Sequence, residues 1–233
     1  TVTADYIICA CDTDITFNHL IGKGLMDKFF LEHYHKHKEH PLYSSFNCYF
    51  AVDEVCQMPS TTISFECAPY TVHNDTHASV FVKNFDYEPS FSPEGKSVLQ
   101  TMLVQYEDDF DYWKQLYETD HAAYKAEKMR IAGEIMERIA ARFPELAGKL
   151  SILDVVTPMT YYRFCGAYKG AYMSFILTPY APKATHRGIL PGIRNLYLAG
   201  QWLQPPGGLP NAAVTGRFAI QRICKRAHIK FRD

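Results

Sequence analysis

Residues 195–217 constrain the fold more than any other part of the 233-residue sequence. An apolar run at 196–199 stops at Gly200, and a loop rich in proline and glycine then leads into a helical pattern. Pro210 suits the first helical turn, where a residue needs no N–H donor. One face of the predicted helix carries Ala213, Gly216, Ile220 and Ile223. Such a strand, glycine loop and helix either bind an anionic or planar ligand through backbone N–H groups or are only structural.

In detail, this segment resembles the C-terminal cofactor motif of FAD-dependent oxidoreductases related to phytoene desaturases, carotenoid isomerases and amine oxidases. That motif is a strand ending in Ala-Gly-Asp, then Pro-Gly-Gly-Gly-x-Pro-Gly-Ala, and a helix carrying Ser/Thr-Gly-Arg. The matching residues are Ala199, Gly200, Pro206, Gly207, Gly208, Pro210, Ala212, Thr215, Gly216 and Arg217. Gln201 replaces the acidic residue and Asn211 replaces a glycine. Gln201 can still hydrogen-bond a ribityl hydroxyl, although it brings no charge.

The resemblance implies FAD as the cofactor and gives roles to the residues of this loop. Gly200 and Gln201 would lie near the ribityl chain, and residues 207–209 would face the isoalloxazine. Residues 210–213 would place a helix N-terminus at the pyrimidine end, where the helix dipole favours the negative charge of a reduced flavin. The expected cofactor-binding residues are Gly200, Gln201, Pro206, Gly207, Gly208, Leu209, Pro210, Ala212 and Ala213.

A second segment, residues 154–170, resembles the Thr-Pro region that precedes the cofactor motif in phytoene desaturase-like proteins. In that family it passes close to the flavin and the substrate tunnel. The resemblance therefore implies four substrate-side candidates, Tyr161, Tyr162, Arg163 and Lys169. The structural alternative is that the tyrosine rings pack and the arginine pairs with a surface carboxylate.

The resemblance extends over nearly the whole chain and implies a FAD-dependent oxidoreductase related to phytoene dehydrogenase. Such an enzyme acts by flavin redox on an apolar, carotenoid- or lipid-like substrate, and the protein supplies orientation and electrostatics. The sequence does not separate desaturation, saturation, isomerisation and amine oxidation. The alternative is a non-catalytic module that retains the fold and binds a lipid-like ligand or a partner chain.

The pyrophosphate-binding motif G-x-G-x-x-G does not occur in this sequence; Gly22 and Gly24 begin one, but Asp27 occupies its last position. We therefore interpret the chain as the C-terminal part of such an enzyme, without the first half of the FAD-binding domain. The isolated fragment is then expected to be inactive and to bind FAD weakly or not at all. Apolar faces that would meet the missing half are expected to self-associate or to be mobile, at Ile7, Leu198, Ile220 and Ile223.

Composition and charge narrow the classes of partner and compartment. The formal net charge of -1 argues against nucleic acid as a partner. No apolar run approaches the roughly 20 residues that a membrane-spanning helix needs, which leaves open a peripheral membrane contact. The seven cysteines are an odd number without disulfide or metal-ligand spacing, and they indicate a reduced, cytoplasmic setting. Cys9 and Cys11 are interpreted as core thiols rather than a redox pair.

A histidine-rich run suggests a metal site at first sight. On one helix His33, His37 and His40 would share a face, while His35 points elsewhere. No acidic or cysteine partner repeats that spacing. We therefore expect a solvated helix end and no metal.

The predicted fold class is α+β or α/β, with an antiparallel-sheet substrate domain and helices beside the closing strand-loop-helix of a Rossmann-like FAD-binding domain. Residues 1–21 are interpreted as a cofactor-domain strand and crossover, 22–187 as the substrate domain, and 188–233 as the return to the cofactor domain. Strands are expected at 4–9, 46–52, 61–65, 79–85, 98–105, 152–156 and 195–199. Helices are expected at 12–20, 25–37, 109–116, 120–143 and from Pro210 onward, and a short turn or helix at 158–164. The strands at 4–9 and 195–199 are predicted to share one sheet.

Overall fold

The structure is a computed structural model that describes residues 1–36, 38–180 and 185–232. Its strands are β1 (Ile7–Cys9), β2 (Ser44–Val52), β3 (Thr62–Val72), β4 (Asp75–Asn84), β5 (Ser97–Gln105), β6 (Leu150–Val156) and β7 (Leu196–Leu198). Its α-helices are α1 (Thr13–Ile15), α2 (Lys28–His35), α3 (Glu107–Thr119), α4 (His121–Arg142), α5 (Pro158–Cys165) and α6 (Leu209–Arg226). Each predicted strand and helix has a counterpart in the structure. Most boundaries shift by a few residues, but β3 extends seven residues beyond the strand predicted at 61–65.

The chain forms two compact units. Unit 1 comprises Thr1–Ser44 and Tyr161–Asp233, and unit 2 comprises Ser45–Thr160. The domain boundaries proposed from the sequence fall after residues 21 and 187, whereas the units divide after residues 44 and 160. The assignment of cofactor and substrate roles to these parts of the chain stays a prediction.

Unit 2 is built on a five-stranded sheet in the order β3-β4-β5-β2-β6. The pairs β3–β4, β4–β5 and β2–β6 are antiparallel, as predicted. Long β-branched and aromatic strands favour this arrangement because their side chains alternate between a packed and a more exposed face. The sheet therefore supplies one continuous apolar surface for helices to cover.

Helix α4 covers that surface with the predicted apolar stripe. Ile131, Ile135 and Ile139 are all fully buried in the core of unit 2. Asp120 caps the helix by accepting from the Ala123 N–H, and Pro144 follows its end. In α3, the buried Trp113 indole donates to Gln105 Oε1 at 2.8 Å, which satisfies its only polar atom.

Unit 1 contains a two-stranded parallel sheet made of β1 and β7. Ile7 pairs with Leu196 and Cys9 pairs with Leu198. The sheet ends in a bond from the Ala199 N–H to the Cys9 carbonyl at 2.9 Å. This confirms the prediction that the two short apolar strands, almost a chain length apart, lie in one sheet.

The core of unit 1 is an aromatic cluster beside that sheet. Phe30, Tyr34 and Phe175 pack with Trp202 and with Leu198 of β7. Leu198 is therefore buried, and the expectation that it lacks partners is wrong. The alternation of a strand explains the error, because Leu198 and its neighbour Tyr197 point to different faces of β7 and each face has its own apolar cluster.

The histidine run belongs to this aromatic core. His33 and His40 are only 4% and 5% exposed, and their rings stack with centroids 3.8 Å apart. The expected solvated helix end is therefore wrong for these two residues, because Phe29 and Phe175 enclose the His33 ring. His35 is exposed, and His37 lies outside the described residues. Helix α2 ends at His35, so the run does not form one helical face.

Helix α6 packs within this chain through a face other than its apolar stripe, and this confirms the expectation that Ile220 and Ile7 lack packed partners here. Its buried residues are Thr215 and Ala219, whereas Ala213 and Ile220 are exposed. Ile7 on β1 is exposed as well, while Ile223 is half-buried against Tyr197 and Ala219. The stripe with Ala213 and Ile220 is thus largely uncovered in this chain. Among the described residues, no helix combines the length and the apolar character needed to cross a membrane.

Candidate functional site

Unit 1 contains an open cavity of about 500 Å3 at the carboxyl ends of β1 and β7. Because the strands are parallel, the residues that follow them, 10–12 and 200–202, emerge at the same edge of the sheet. The start of α6 and the segment around residues 165–173 complete the wall. The lining residues are Ala10, Cys11, Asp12, Cys165, Ala167, Tyr172, Met173, Gly200, Gln201, Trp202, Gly208, Leu209 and Ala212.

Two adjacent glycines in the loop before α6 have different roles. Gly207 and Gly208 both have φ of +87°, a backbone conformation that residues with a side chain rarely adopt. A Cβ at Gly207 would lie 2.8 Å from both Cβ and N of Ser174, so this glycine permits close backbone packing. A Cβ at Gly208 would have no neighbour nearer than Pro210 Cδ at 3.9 Å. Gly208 lines the cavity, and its missing side chain leaves space there.

Polar side chains of the motif fix the loop rather than face solvent. Gln201 Oε1 accepts from the Gly208 N–H at 3.0 Å, and its Nε2 donates to the Tyr172 carbonyl at 3.4 Å. Asn211 Nδ2 donates to the Gly207 carbonyl at 2.8 Å. The replacement of a glycine by Asn211 therefore ties the loop to the first turn of α6.

Thr215 joins α6 to the end of β7. Its hydroxyl accepts from the Gly200 N–H and lies 2.9 Å from the Gly200 carbonyl, and it also lies 3.0 Å from the Ala212 carbonyl. A single hydroxyl proton serves these two carbonyls. Gly200 itself has φ of +116°, so the hydroxyl holds in place a turn that needs glycine. This contact explains why a threonine or serine suits the position.

The structure brings five of the nine expected cofactor-binding residues to the cavity: Gly200, Gln201, Gly208, Leu209 and Ala212. The other four do not line it. Pro206 and Gly207 lie behind the wall, where the Pro206 carbonyl accepts from the Ser174 N–H. Pro210 and Ala213 are in the exposed first turn of α6. Whether these nine residues bind a cofactor stays a prediction.

None of the four substrate-side candidates lines this cavity. Tyr161 makes a ring contact with Tyr172, which does line it, at a centroid distance of 6.3 Å. Arg163 lies over the Phe164 ring at 5.4 Å, and Lys169 has a left-handed φ of +51°. Tyr162 is partly exposed on α5. Their part in substrate binding stays a prediction.

Asp12 is the cavity residue whose role was missed from the sequence, where it was read only as a helix cap. It does cap α1 by accepting from the Asp14 N–H at 2.8 Å, and its other oxygen accepts from the Tyr168 N–H at 2.8 Å. Burial raises the pKa of the Asp12 carboxyl to about 7, against the lowering effect of these two N–H donors. The carboxyl can therefore hold or release a proton near neutral pH. The signal that could have found it is its place just after a strand of the parallel sheet.

Two cysteines also line the cavity, Cys11 and Cys165, and both are exposed. The interpretation of Cys11 as a core thiol is therefore wrong, because the strand ends at Cys9 and Cys11 lies in the turn that follows. Cys9 is half-buried, and burial raises the pKa of its thiol. Each of the seven cysteines carries a free thiol. In the described part of the chain, no group of three or more histidine, cysteine or acidic side chains is arranged to hold a metal ion.

Comparison with known proteins gives several relatives. The chain is 23% identical over 244 aligned residues to a 4,4'-diapophytoene desaturase of Methylomonas sp, which covers 98% of this chain and 45% of that protein. It is 27% identical over 143 residues to the chloroplastic prolycopene isomerase of Arabidopsis thaliana, covering 58% of this chain and 22% of the relative. It is 33% identical over 95 residues to an inactive all-trans-retinol 13,14-reductase of Danio rerio, covering 40% and 16%. No family model matches the sequence.

The chain thus spans less than half the length of the curated relatives it matches. These relatives are a desaturase, an isomerase and a protein named as a reductase, and their names refer to carotenoid or retinoid compounds. The resemblance seen in the loop before α6 is confirmed by relatives whose alignments reach up to nearly the whole chain. The chain is therefore similar to the curated carotenoid desaturases and isomerases over a stretch that reaches nearly its whole length.

Proposed function

We propose that this chain is part of a FAD-dependent oxidoreductase that acts on an apolar, carotenoid- or lipid-like substrate. The observation that carries the proposal is the cavity at the carboxyl ends of β1 and β7, bounded by a glycine loop and the start of α6. In this proposal the parallel pair and α6 are the closing elements of a Rossmann-like domain. FAD, when bound, supplies the redox chemistry.

The residues present fit a flavin ring. The cavity volume lies within the range of about 300–1,000 Å3 typical of small-molecule sites. Its wall is mainly apolar, with Met173, Trp202 and Leu209 among its members, which suits a planar heterocycle. Gly200 and Gly208 let the backbone approach such a ring closely. Leu209, 88% exposed at the first position of α6, has an apolar side chain free to cover it.

Three features of this chain would position the ring and control protons beside it. The Gln201 amide fixes the distance between the end of β7 and Gly208. The N-terminus of α6 presents positive dipole charge toward the cavity edge. The Asp12 carboxyl, with a pKa near 7, would hold or release a proton at the cavity wall. Apolar side chains around these groups would exclude water.

The test uses the polypeptide encoded by the complete reading frame. We expect it to purify with flavin, seen in its absorbance spectrum, whereas the 233-residue chain alone binds added FAD weakly or not at all. Gly208→Val should abolish flavin retention, because its side chain would enter the space now open in the cavity. Gly192→Val is the matched control, since Gly192 also has positive φ (+79°) and open space but lies outside the cavity. A complete polypeptide without flavin, or equal flavin loss in both variants, would contradict the proposal.

A second candidate function is a non-catalytic module that binds a lipid-like ligand or a partner chain. One relative is named as inactive, and the acidic residue of the motif is Gln201 here. In this case the complete polypeptide would bind an apolar ligand without a flavin spectrum. The same absorbance measurement therefore separates the two functions.

A further inference from the structure

Charge is divided very unevenly along this chain. Residues 155–232 contain eleven lysines and arginines and no aspartate or glutamate. By unit, unit 1 has fifteen basic and seven acidic residues, and unit 2 has nine basic and eighteen acidic residues. The formal net charge of -1 conceals this polarity. Unit 1 is thus strongly basic, and a sequence argument from the net charge alone misses its preference for anionic partners.

Six of these cations lie on the second half of α6, shortly after its end, or in the segment that precedes β7. We call this set the basic patch and define it as Arg187, Arg194, Arg222, Lys225, Arg226 and Lys230. The Arg226 guanidinium donates to the Arg194 carbonyl. Burial lowers the pKa of Arg222, and the like charge of the nearby Arg187 lowers it further. Arg226 is thus held against the backbone at Arg194, and Arg187 lies close enough to Arg222 for their like charges to interact.

The described carboxylates do not pair with the cations of this patch. Among the ion pairs of residues 1–36, 38–180 and 185–232, none involves a basic-patch residue. Like charges held close together without counter-ions lower stability, and a bound anion would relieve that repulsion. The patch therefore favours an anionic partner outside the chain.

Apolar side chains are interleaved with these cations. Ile229 is 64% exposed, and its position is fixed because its N–H donates to the Cys224 carbonyl at 2.9 Å. Phe218 is partly exposed, and the Arg222 guanidinium lies 5.6 Å from its ring centroid. The last turn of α6 and residues 227–231 thus alternate basic and apolar side chains on the surface.

We propose that the basic patch, with Phe218 and Ile229, docks this chain on an anionic lipid surface. Cations alone would suit any polyanion, but exposed aliphatic and aromatic side chains between them gain most where they can enter the boundary between headgroups and acyl chains. Nucleic acid offers phosphates without such an apolar layer, and single-strand binding would need several stacking rings in a groove. This inference does not depend on the proposed flavin chemistry.

The experiment is co-sedimentation of the 233-residue chain with sucrose-loaded vesicles. We compare pure phosphatidylcholine with a mixture containing phosphatidylglycerol, at low and high salt. The chain should bind only the anionic vesicles, and high salt should release most of it. Replacing Arg222, Lys225, Arg226 and Lys230 by glutamine should weaken partitioning several hundredfold, since each cation near an anionic leaflet contributes about fivefold.

A matched control removes the same charge from unit 2, by replacing Lys83, Lys96, Lys125 and Lys149 with glutamine. This control should bind the vesicles like the parent chain. A second variant, Lys225→Gln with Lys230→Gln, changes only exposed cations, and its partitioning to the vesicles should fall about 25-fold. This variant separates the loss of charge from a folding defect caused by replacing Arg222. Ile229→Ser keeps every charge and should still weaken binding.

Three results would overturn the proposal. One is equal binding to phosphatidylcholine and anionic vesicles. Another is equal loss of binding in the control with four unit 2 substitutions. The third is binding to DNA or heparin as tight as to vesicles, together with no effect of Ile229→Ser, which would indicate a general polyanion site. Flavin retention by the complete polypeptide is measured separately, so failure here leaves the proposed function intact.

Discussion

The substitution Asp12→Asn tests whether the buried carboxyl in the cavity makes the free energy of unfolding depend on pH. Burial raises the pKa of Asp12 from its ordinary 3.8 to about 7 in the folded chain. Between these values the folded state binds more protons than the unfolded state, so stability is highest below pH 4 and falls as pH rises toward 7. Integrated over this window, the group should make the chain about 2.5 kcal/mol less stable at pH 8 than at pH 5.

Asparagine removes the charge but keeps one carbonyl oxygen for the two N–H donors of Asp14 and Tyr168. We expect a loss of about 1–3 kcal/mol at pH 5 from the unsatisfied donor, and a much smaller loss, or a gain, at pH 8. Urea unfolding of both chains at pH 5 and pH 8 measures this difference, with the exposed Asp5→Asn as control. If the stability difference between parent and Asp12→Asn is the same at both pH values, the buried-carboxyl argument is refuted.

Three further predictions concern other parts of unit 1. Gly207→Ala should lower the free energy of unfolding by about 3 kcal/mol, because the new Cβ would lie 2.8 Å from the backbone N and the Cβ of Ser174. Gly192→Ala should lower it by only about 1 kcal/mol, from backbone strain. Equal losses in urea unfolding would contradict the close packing at Gly207. Burial lowers the pKa of His33 and His40, so their contribution to stability is present above pH 6.5 and lost as pH falls through it. Replacing both with glutamine should flatten the dependence of the unfolding free energy on pH between 7 and 5, whereas replacing His35 should not. The chain should self-associate through the stripe with Ile220, so Ile220→Lys should reduce the mass seen by light scattering; an unchanged monomer in both chains would contradict it.

The sequence alone was sufficient to predict the elements that depend on a local residue pattern. The Ile131, Ile135 and Ile139 stripe predicted both α4 and its buried side. The proline- and glycine-rich composition predicted the loop before α6, in which Gly200, Gly207 and Gly208 all have positive φ. Short-range chemistry determines these features, so a single sequence reveals them.

Other features depend on neighbours far along the chain. His33 and His40 were expected in solvent, and Phe175, which lies far along the chain, packs against both rings and helps to bury them. The sequence analysis did not identify the face of α6 that packs, because small residues and isoleucines occur on two sides of the helix, and the contact of Thr215 with Gly200 selects one of them. Asp12 became a cavity residue only once β1 and β7 were adjacent. Contacts between residues that are far apart in the sequence cannot be inferred from periodicity or composition.

The pairing of β1 with β7 also has a consequence for how the chain reaches this structure. Roughly 190 residues separate the paired strands, and the entropic cost of closing a flexible loop grows with its length. Unit 2 is continuous in sequence and lies wholly inside that loop, whereas unit 1 draws on both ends of the chain. On a ribosome, unit 2 can therefore fold while β7 and α6 are still being made. We expect the collapse of unit 1 to be the late step, and its cavity to be the last part of the molecule to gain protection from hydrogen exchange.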